Sequence, residues 1–246
     1  MTQRLPPPHI EPHLVTDRSV DRLPQGLYER RAAELSKLLA SRPSPPDRPT
    51  SATRWQDELI AREIPRGARV LDLGCGDGAL LERLMRDLDV HGQGLEIDPE
   101  AVFSCVERGV PVMQADLDEG LRRFPDQAFD VVVLEETLQT LANPREMLAE
   151  MLRVGRRGMV SFPNFAHWRV LVDLVASGRM PVTEWLPYQW YETSNIHPFT
   201  LQDLLDWSRD SGVRVVSGYA YENGVVRTLA ANDNLHAEEV LIVVER

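Results

Sequence analysis

The sequence predicts an α/β fold: a mostly parallel seven-stranded sheet with helices on both faces and an antiparallel edge strand. Two observations carry the prediction. From Gly67 to the end, short apolar runs rich in β-branched residues alternate with stretches whose apolar residues recur at helical spacing. That alternation is the pattern of buried parallel strands joined by crossover helices. The last two apolar runs differ, because the segment between them has no helical periodicity, so they are expected to pair antiparallel at the sheet edge.

In order, the strands are expected at "RVLDLG" (69–74), "VHGQGLEI" (90–97), "VPVMQA" (110–115), "FDVVVLE" (129–135), "RGMVSF" (157–162), "VRVVSGYAY" (213–221) and "EVLIVVE" (239–245). Helical patterns fall at 77–88, 99–108, 144–154 and 200–211, the first with Leu80, Leu81, Leu84 and Leu88 on one face and Asp77 as a plausible cap. Residues 1–66 read as a separate Pro-rich extension, since nine of the eighteen prolines lie in the first fifty residues. Within it, "LYERRAAELSKLLA" (27–40) has the spacing of a short amphipathic helix. Residues 67–246 form the expected domain, with an aromatic insertion over 163–199.

Composition removes several classes. With 43% hydrophobic residues the chain can bury one good-sized core. No apolar run approaches the ~20 residues of a membrane span, and the first residues lack the apolar core of a secretion signal, so a cytoplasmic, membrane-free protein is expected. Cys75 and Cys105 are too few for a disulfide framework and lie at no metal-ligand spacing, so both are expected as thiols and no metal is expected. The net charge is −11; eleven basic and nine acidic side chains in residues 1–66 leave −13 on the rest. A body that acidic repels phosphate backbones, which argues against nucleic acid as a partner.

The chemistry concentrates at "RVLDLGCGDGALLERL" (69–84), a strand, a bare turn and a helix. Gly74, Gly76 and Gly78 allow positive φ and bring backbone close to a ligand, at the strand end where open α/β sheets bind. A nucleoside triphosphate would need a loop lysine, and the stretch has none. A dinucleotide would need G-x-G-x-x-G, whereas the spacing is G-x-G-x-G, with Asp72 and Asp77 beside any pyrophosphate. S-adenosylmethionine has no phosphate and presents a sulfonium cation, an amino-acid head and two ribose hydroxyls, which bare backbone flanked by carboxylates suits. Glu96, ending the second strand next to Ile97, can accept both ribose hydroxyls. Asp116 and the Leu117 amide, after the third strand, can meet the adenine edge, and Glu135 and Glu136, after the fourth, can lie beside the sulfonium. The expected cofactor contacts are therefore Asp72, Gly74, Cys75, Gly76, Gly78, Glu96, Ile97, Asp116, Leu117 and Glu135. Taken singly, Asp77, Asp98 and Asp116 have a plainer reading as helix or turn caps. The ordered set D-x-G-x-G-x-G, acid, Asp-Leu is the pattern of class I S-adenosylmethionine-dependent methyltransferases, which the chain resembles from about Gly67 onward, implying their Rossmann-like fold.

The insertion places Trp168, Trp185, Tyr188, Trp190 and Tyr191 within a short span, as a lid over a small acceptor, a surface for another protein, or core under a long loop. His167 and His197 are the histidines near the expected crevice and the candidate general bases. "FPNFAHWRV" and "WYETSNIHPFT", together with the glycine loop, resemble the MetW family of methionine-biosynthesis proteins over roughly residues 67–216. In that family the position after the fourth strand is usually uncharged, so "EE" at 135 and 136 is a departure. The resemblance implies a partner that supports homoserine O-acyltransferase, either acetyl- or succinyltransferase. The alternative is an active methyltransferase on a small metabolite, for which methyl transfer needs positioning more than acid–base groups.

Overall fold

The computed structural model describes residues 54–246. The helix expected over 27–40, and the rest of the extension before Arg54, lie outside the described residues. The element order is α1 (Trp55–Glu63), β1 (Arg69–Leu73), α2 (Ala79–Leu88), β2 (His91–Glu96), α3 (Pro99–Glu107), β3 (Val112–Gln114), β4 (Phe129–Glu135), α4 (Pro144–Val154), β5 (Gly155–Pro163), α5 (Trp168–Ser177), α6 (Leu201–Asp210), β6 (Arg214–Glu222), β7 (Val225–Thr228), α7 (Asp233–His236) and β8 (Glu239–Glu245).

These strands form one sheet in the order β3-β2-β1-β4-β5-β8-β6-β7. The first five are parallel, and β8 inserts antiparallel between β5 and β6, so the expected pair of terminal runs is present. The sheet has one strand more than the sequence pattern suggests. The extra strand is β7, which folds back on β6 through Asn223 and Gly224, both at positive φ (50° and 80°). Asn-Gly is the pair that a tight hairpin turn favours.

Two apolar clusters cover the two faces, as strand alternation requires. Leu71, Leu73, Val132 and Leu134 pack with Met147, Met151 and Leu152 of α4 and with Leu201 and Leu204 of α6. Val70, Val131, Val133 and Met159 face the other way, onto Leu80, Leu81 and Leu84 of α2 and onto Leu59 and Ile60 of α1. The packed core therefore takes in α1, ahead of Gly67. Helix α2 begins two residues later than expected: Gly78, at φ 79°, replaces Asp77 as its N-cap, and Asp77 accepts a hydrogen bond from the Ala79 amide at 3.2 Å.

Helix α6 starts with a reciprocal cap. Thr200 Oγ1 accepts from the Asp203 amide at 3.1 Å while Asp203 Oδ2 accepts from the Thr200 amide at 2.9 Å. Helix α5 lies in the segment expected as an insertion; the stretch after it, from Gly178 to Phe199, is irregular. No helix among the described residues is long and apolar enough to cross a membrane.

Candidate functional site

Register places the acids. Asp72 of β1 pairs with Gly94 of β2 and with Val133 of β4. Glu96 and Glu135 each lie two residues further along their strands, so all three carboxylates project from the face covered by α1 and α2, at the carboxyl ends of the strands. Three neighbouring parallel strands, β1, β2 and β4, thus deliver Asp72, Glu96 and Glu135 to one edge of the sheet, although they are far apart in sequence.

The glycine loop is bonded to that edge. Gly74 and Cys75 donate to the Leu95 carbonyl at 2.8 and 3.1 Å, and the Gly76 amide donates to Glu96 Oε2 at 2.8 Å. Glu96 Oε1 accepts from the Ile97 and Asp98 amides at 2.8 and 3.0 Å. One carboxylate therefore pins the loop to the end of β2 and retains lone pairs for a ligand hydroxyl. Gly74 (φ 76°) is obligatory, since a Cβ there would stand 2.6 Å from Thr137 Oγ1; at Gly76 (φ 54°) a Cβ would meet only open space, on the side where a ligand can approach. Cys75 turns inward, its Sγ 3.8 Å from that of Cys105, so it can offer a ligand only backbone. Burial pushes the thiol well above its usual range. Ile97 is exposed and forms an apolar ledge beside Glu96.

Further along, Asp116 is exposed and its Oδ1 accepts from the Asp118 amide at 2.9 Å, starting a 3-10 turn at Leu117–Glu119. Part of its hydrogen-bonding capacity is thus spent on the cap. Asp77 is held at the rim by Arg108 at 2.7 Å.

The end of β4 is where charge accumulates. Glu135 is buried, with Oε2 3.4 Å from an Arg54 guanidinium nitrogen. Burial raises its pKa to about 8, partly offset by Arg54 and reinforced by Asp57, Asp72 and Glu136. Asp72, also buried, is pushed up to about 7 by desolvation, with Arg54 opposing and Glu96 and Asp57 adding. Gln56 of α1 donates to Glu136 Oε1 at 2.9 Å, and Gln139 donates to the Glu136 carbonyl at 2.7 Å. Among the described residues, the oxygen of each of these amides, and Glu135 Oε1, are buried without a hydrogen-bond partner. Bare acceptors and carboxylates suit a cationic, donor-rich ligand and not a phosphate. Sequence reasoning missed Arg54, Gln56 and Gln139; Arg54 and Gln56 sit just before Gly67, where no motif marks them.

The histidines separate. His167 is fully buried at the start of α5, where Nδ1 accepts from the Arg169 amide at 3.3 Å and the ring stands edge-on to Trp185 at 4.9 Å. Burial and the Arg169 charge lower its pKa to about 4. It is a helix cap under the insertion, so its candidacy as general base is corrected: a buried ring committed through Nδ1 does not present a base to solvent or substrate. His197 is exposed, and its amide donates to the Gln139 carbonyl at 3.0 Å, which brings it beside the end of β4.

The aromatic residues also divide. Tyr188, Trp190 and Tyr191 are exposed, Trp190 by 72%, alongside Leu171, Leu174 and Val175 of α5. Trp185 is instead buried with Val170 and Leu186, and Trp168 is partly covered, with Arg169 5.4 Å above its ring. Trp185 is therefore core, and the expectation that it meets a partner is corrected.

One residue of "FPNF" has a role that its sequence does not announce. Asn164 is fully buried; Nδ2 donates to the Asn234 and Ala237 carbonyls at 3.0 and 2.9 Å, and Oδ1 accepts from the Leu201 and Ala166 amides at 3.1 and 3.3 Å. It ties the end of β5 to α6 and to the segment entering β8.

The sheet order is that of a class I S-adenosylmethionine-dependent methyltransferase fold. A solved S-adenosylmethionine-dependent methyltransferase from Archaeoglobus fulgidus superposes with a TM-score of 0.56 at 15% identity, covering 89% of this chain and 94% of that one. The chain belongs to the family of methionine biosynthesis protein MetW, whose model matches residues 54–244. A bifunctional methionine biosynthesis protein MetXA/MetW from Rhodopirellula baltica is 36% identical over 182 residues, covering 65% of this chain and 29% of that protein; the chain thus spans less than a third of that relative's length. A ubiquinone biosynthesis O-methyltransferase from Xylella fastidiosa is 29% identical over 210 residues, covering 78% of this chain and 83% of that enzyme.

Proposed function

We propose that the crevice binds S-adenosylmethionine and that the protein serves methionine biosynthesis as a partner of homoserine O-acyltransferase. The observation that carries the partner reading is the bifunctional relative, whose name joins a MetXA part and a MetW part in one chain. Fusion holds two modules at high effective concentration, an arrangement that separate chains reproduce by association. The exposed Tyr188, Trp190 and Tyr191 supply side chains of the kind that interfaces use.

On the cofactor side, Gly74, Gly76 and Gly78 would admit the ligand to the backbone, Glu96 would accept the ribose hydroxyls, Ile97 would pack on adenine, and the Leu117 amide with Asp116 would meet its edge. Asp72 and Glu135 would face the cationic sulfur. When bound, the cofactor supplies an electrophilic methyl group.

The test is the rate of homoserine acylation by the acyltransferase of the same organism, with and without this protein, at several S-adenosylmethionine concentrations. A protein-dependent rate increase, lost in the Trp190→Ala, Tyr191→Ala double variant, is the expected result. No rate change together with no co-elution would overturn the partner reading. A second reading, methyl transfer to a small metabolite, draws on the O-methyltransferase relative. In that case the double variant would alter KM or kcat for the acceptor and leave cofactor affinity intact.

A further inference from the structure

Among the described residues, acceptors and negative charge gather at the end of β4 from α1, β1, β2 and β4 itself. Helix α1 contributes Gln56 and Asp57, β1 contributes Asp72, β2 contributes Glu96, and β4 ends in Glu135 and Glu136. Among the described residues, the cation that reaches Glu135 is Arg54, at 3.4 Å and from a side chain about half exposed (54%), while Arg83 of α2 acts on Asp57. Three oxygens in this cluster, on Gln56, Glu135 and Gln139, are buried and without a hydrogen-bond partner among the described residues, on side chains that are each more than nine-tenths buried. A bare buried acceptor is costly unless a donor or a cation comes to it.

We propose that this end of the crevice reads the charge on the cofactor's sulfur, favouring the cationic sulfonium of S-adenosylmethionine over the neutral thioether of S-adenosylhomocysteine, and that Glu135 sets the preference. The inference rests on the cofactor reading above and deepens it. The two ligands share adenosine, the ammonium and the carboxylate; they differ by one methyl group and one positive charge. Gly74, Glu96 and Leu117 meet parts common to both, so any discrimination must come from what faces the sulfur.

A carboxyl held largely protonated by burial ionises when a cation arrives beside it, so binding of the sulfonium releases a proton from the Glu135 and Asp72 pair, and binding of the thioether does not. The preference therefore grows as pH rises, because a proton that has already left need not be expelled. Such a site would report methyl-donor supply to an associated enzyme without responding to the spent product.

The experiment is calorimetric titration of the full-length protein with each ligand between pH 6 and pH 8.5, in buffers of different ionisation enthalpy. The expected result is S-adenosylmethionine binding tighter by about tenfold or more near pH 8, with proton release for that ligand alone. Glu135→Gln, whose amide has the shape of the protonated carboxyl, should bind both ligands with the ratio pulled toward one; its thermal transition reports whether it folds. Equal affinities, tighter S-adenosylhomocysteine, or an unchanged ratio in Glu135→Gln would overturn the proposal while leaving the cofactor reading standing. Binding of neither ligand would overturn the cofactor reading and this proposal with it.

Discussion

Replacing Asn164 with alanine should destabilise the protein by about 4 kcal/mol. The side chain makes four hydrogen bonds of 2.9 to 3.3 Å to backbone groups of three segments, and it is fully buried. Each such bond contributes roughly 0.5–1.5 kcal/mol net, and a buried backbone group left bare costs about 1–3 kcal/mol. Two carbonyls and two amides lose their partner together. Four bonds at about 1 kcal/mol give the central figure. Urea unfolding of wild type and variant at pH 7 measures it, with an unchanged m-value required for the comparison. For a domain of this size the midpoint temperature should fall by roughly 8–16 °C. Asn164→Asp separates the donor half from the acceptor half, because it keeps an oxygen for Leu201 and Ala166 but turns the other atom against two carbonyls. It should be no better than alanine. A loss below about 1 kcal/mol for Asn164→Ala would refute the reasoning, since it would mean that water or a shifted loop satisfies all four groups.

Three further outcomes follow from the site and the insertion. Glu135 titrates at about 8 in the folded chain against 4.5 when exposed, so the folded state holds a proton that the unfolded state has released; without ligand, its contribution favours folding below pH 4.5 and is lost as pH rises through about 8. Glu135→Gln should flatten that fall, by a difference on the order of 4 kcal/mol at pH 8, read from denaturation across the range; identical pH profiles would contradict the assignment. Gly74→Ala should cost more than Gly76→Ala: both pay about 1–2 kcal/mol for positive φ, but only the first drives a methyl group to 2.6 Å from Thr137 Oγ1, and equal losses by thermal unfolding would show that Thr137 yields freely. Trp185→Ala should lose about 3–5 kcal/mol and Trp190→Ala almost none, because one ring is buried and the other is 72% exposed; the reverse order would mean that the insertion packs differently in solution.

Much of the fold and part of the site were legible in the sequence. Strand runs, the glycine turn and the order of acids are local signals: periodicity of two, small residues where φ must be positive, and a carboxylate at a strand end. What was missed depended on contacts between distant segments. Helix α1 has no motif, and it becomes part of the site only because Leu59 and Ile60 pack against the sheet and carry Arg54 and Gln56 to the end of β4. The Asn-Gly hairpin that makes β7 is a local signal as well, carried by Asn223 and Gly224 at positive φ.

The sequence by itself determined the class of the protein: an α/β sheet with a bare, acid-flanked turn at the end of its first strand, and family motifs beyond it. Only the tertiary structure decided which way side chains face. It turned Cys75, His167 and Trp185 inward, left Trp190 and Tyr191 outside, and set Asp72, Glu96 and Glu135 on one face through strand register. The physical reason is that residue type fixes what a side chain can do, whereas burial and charge at a point are sums over neighbours that the chain brings together only when it folds.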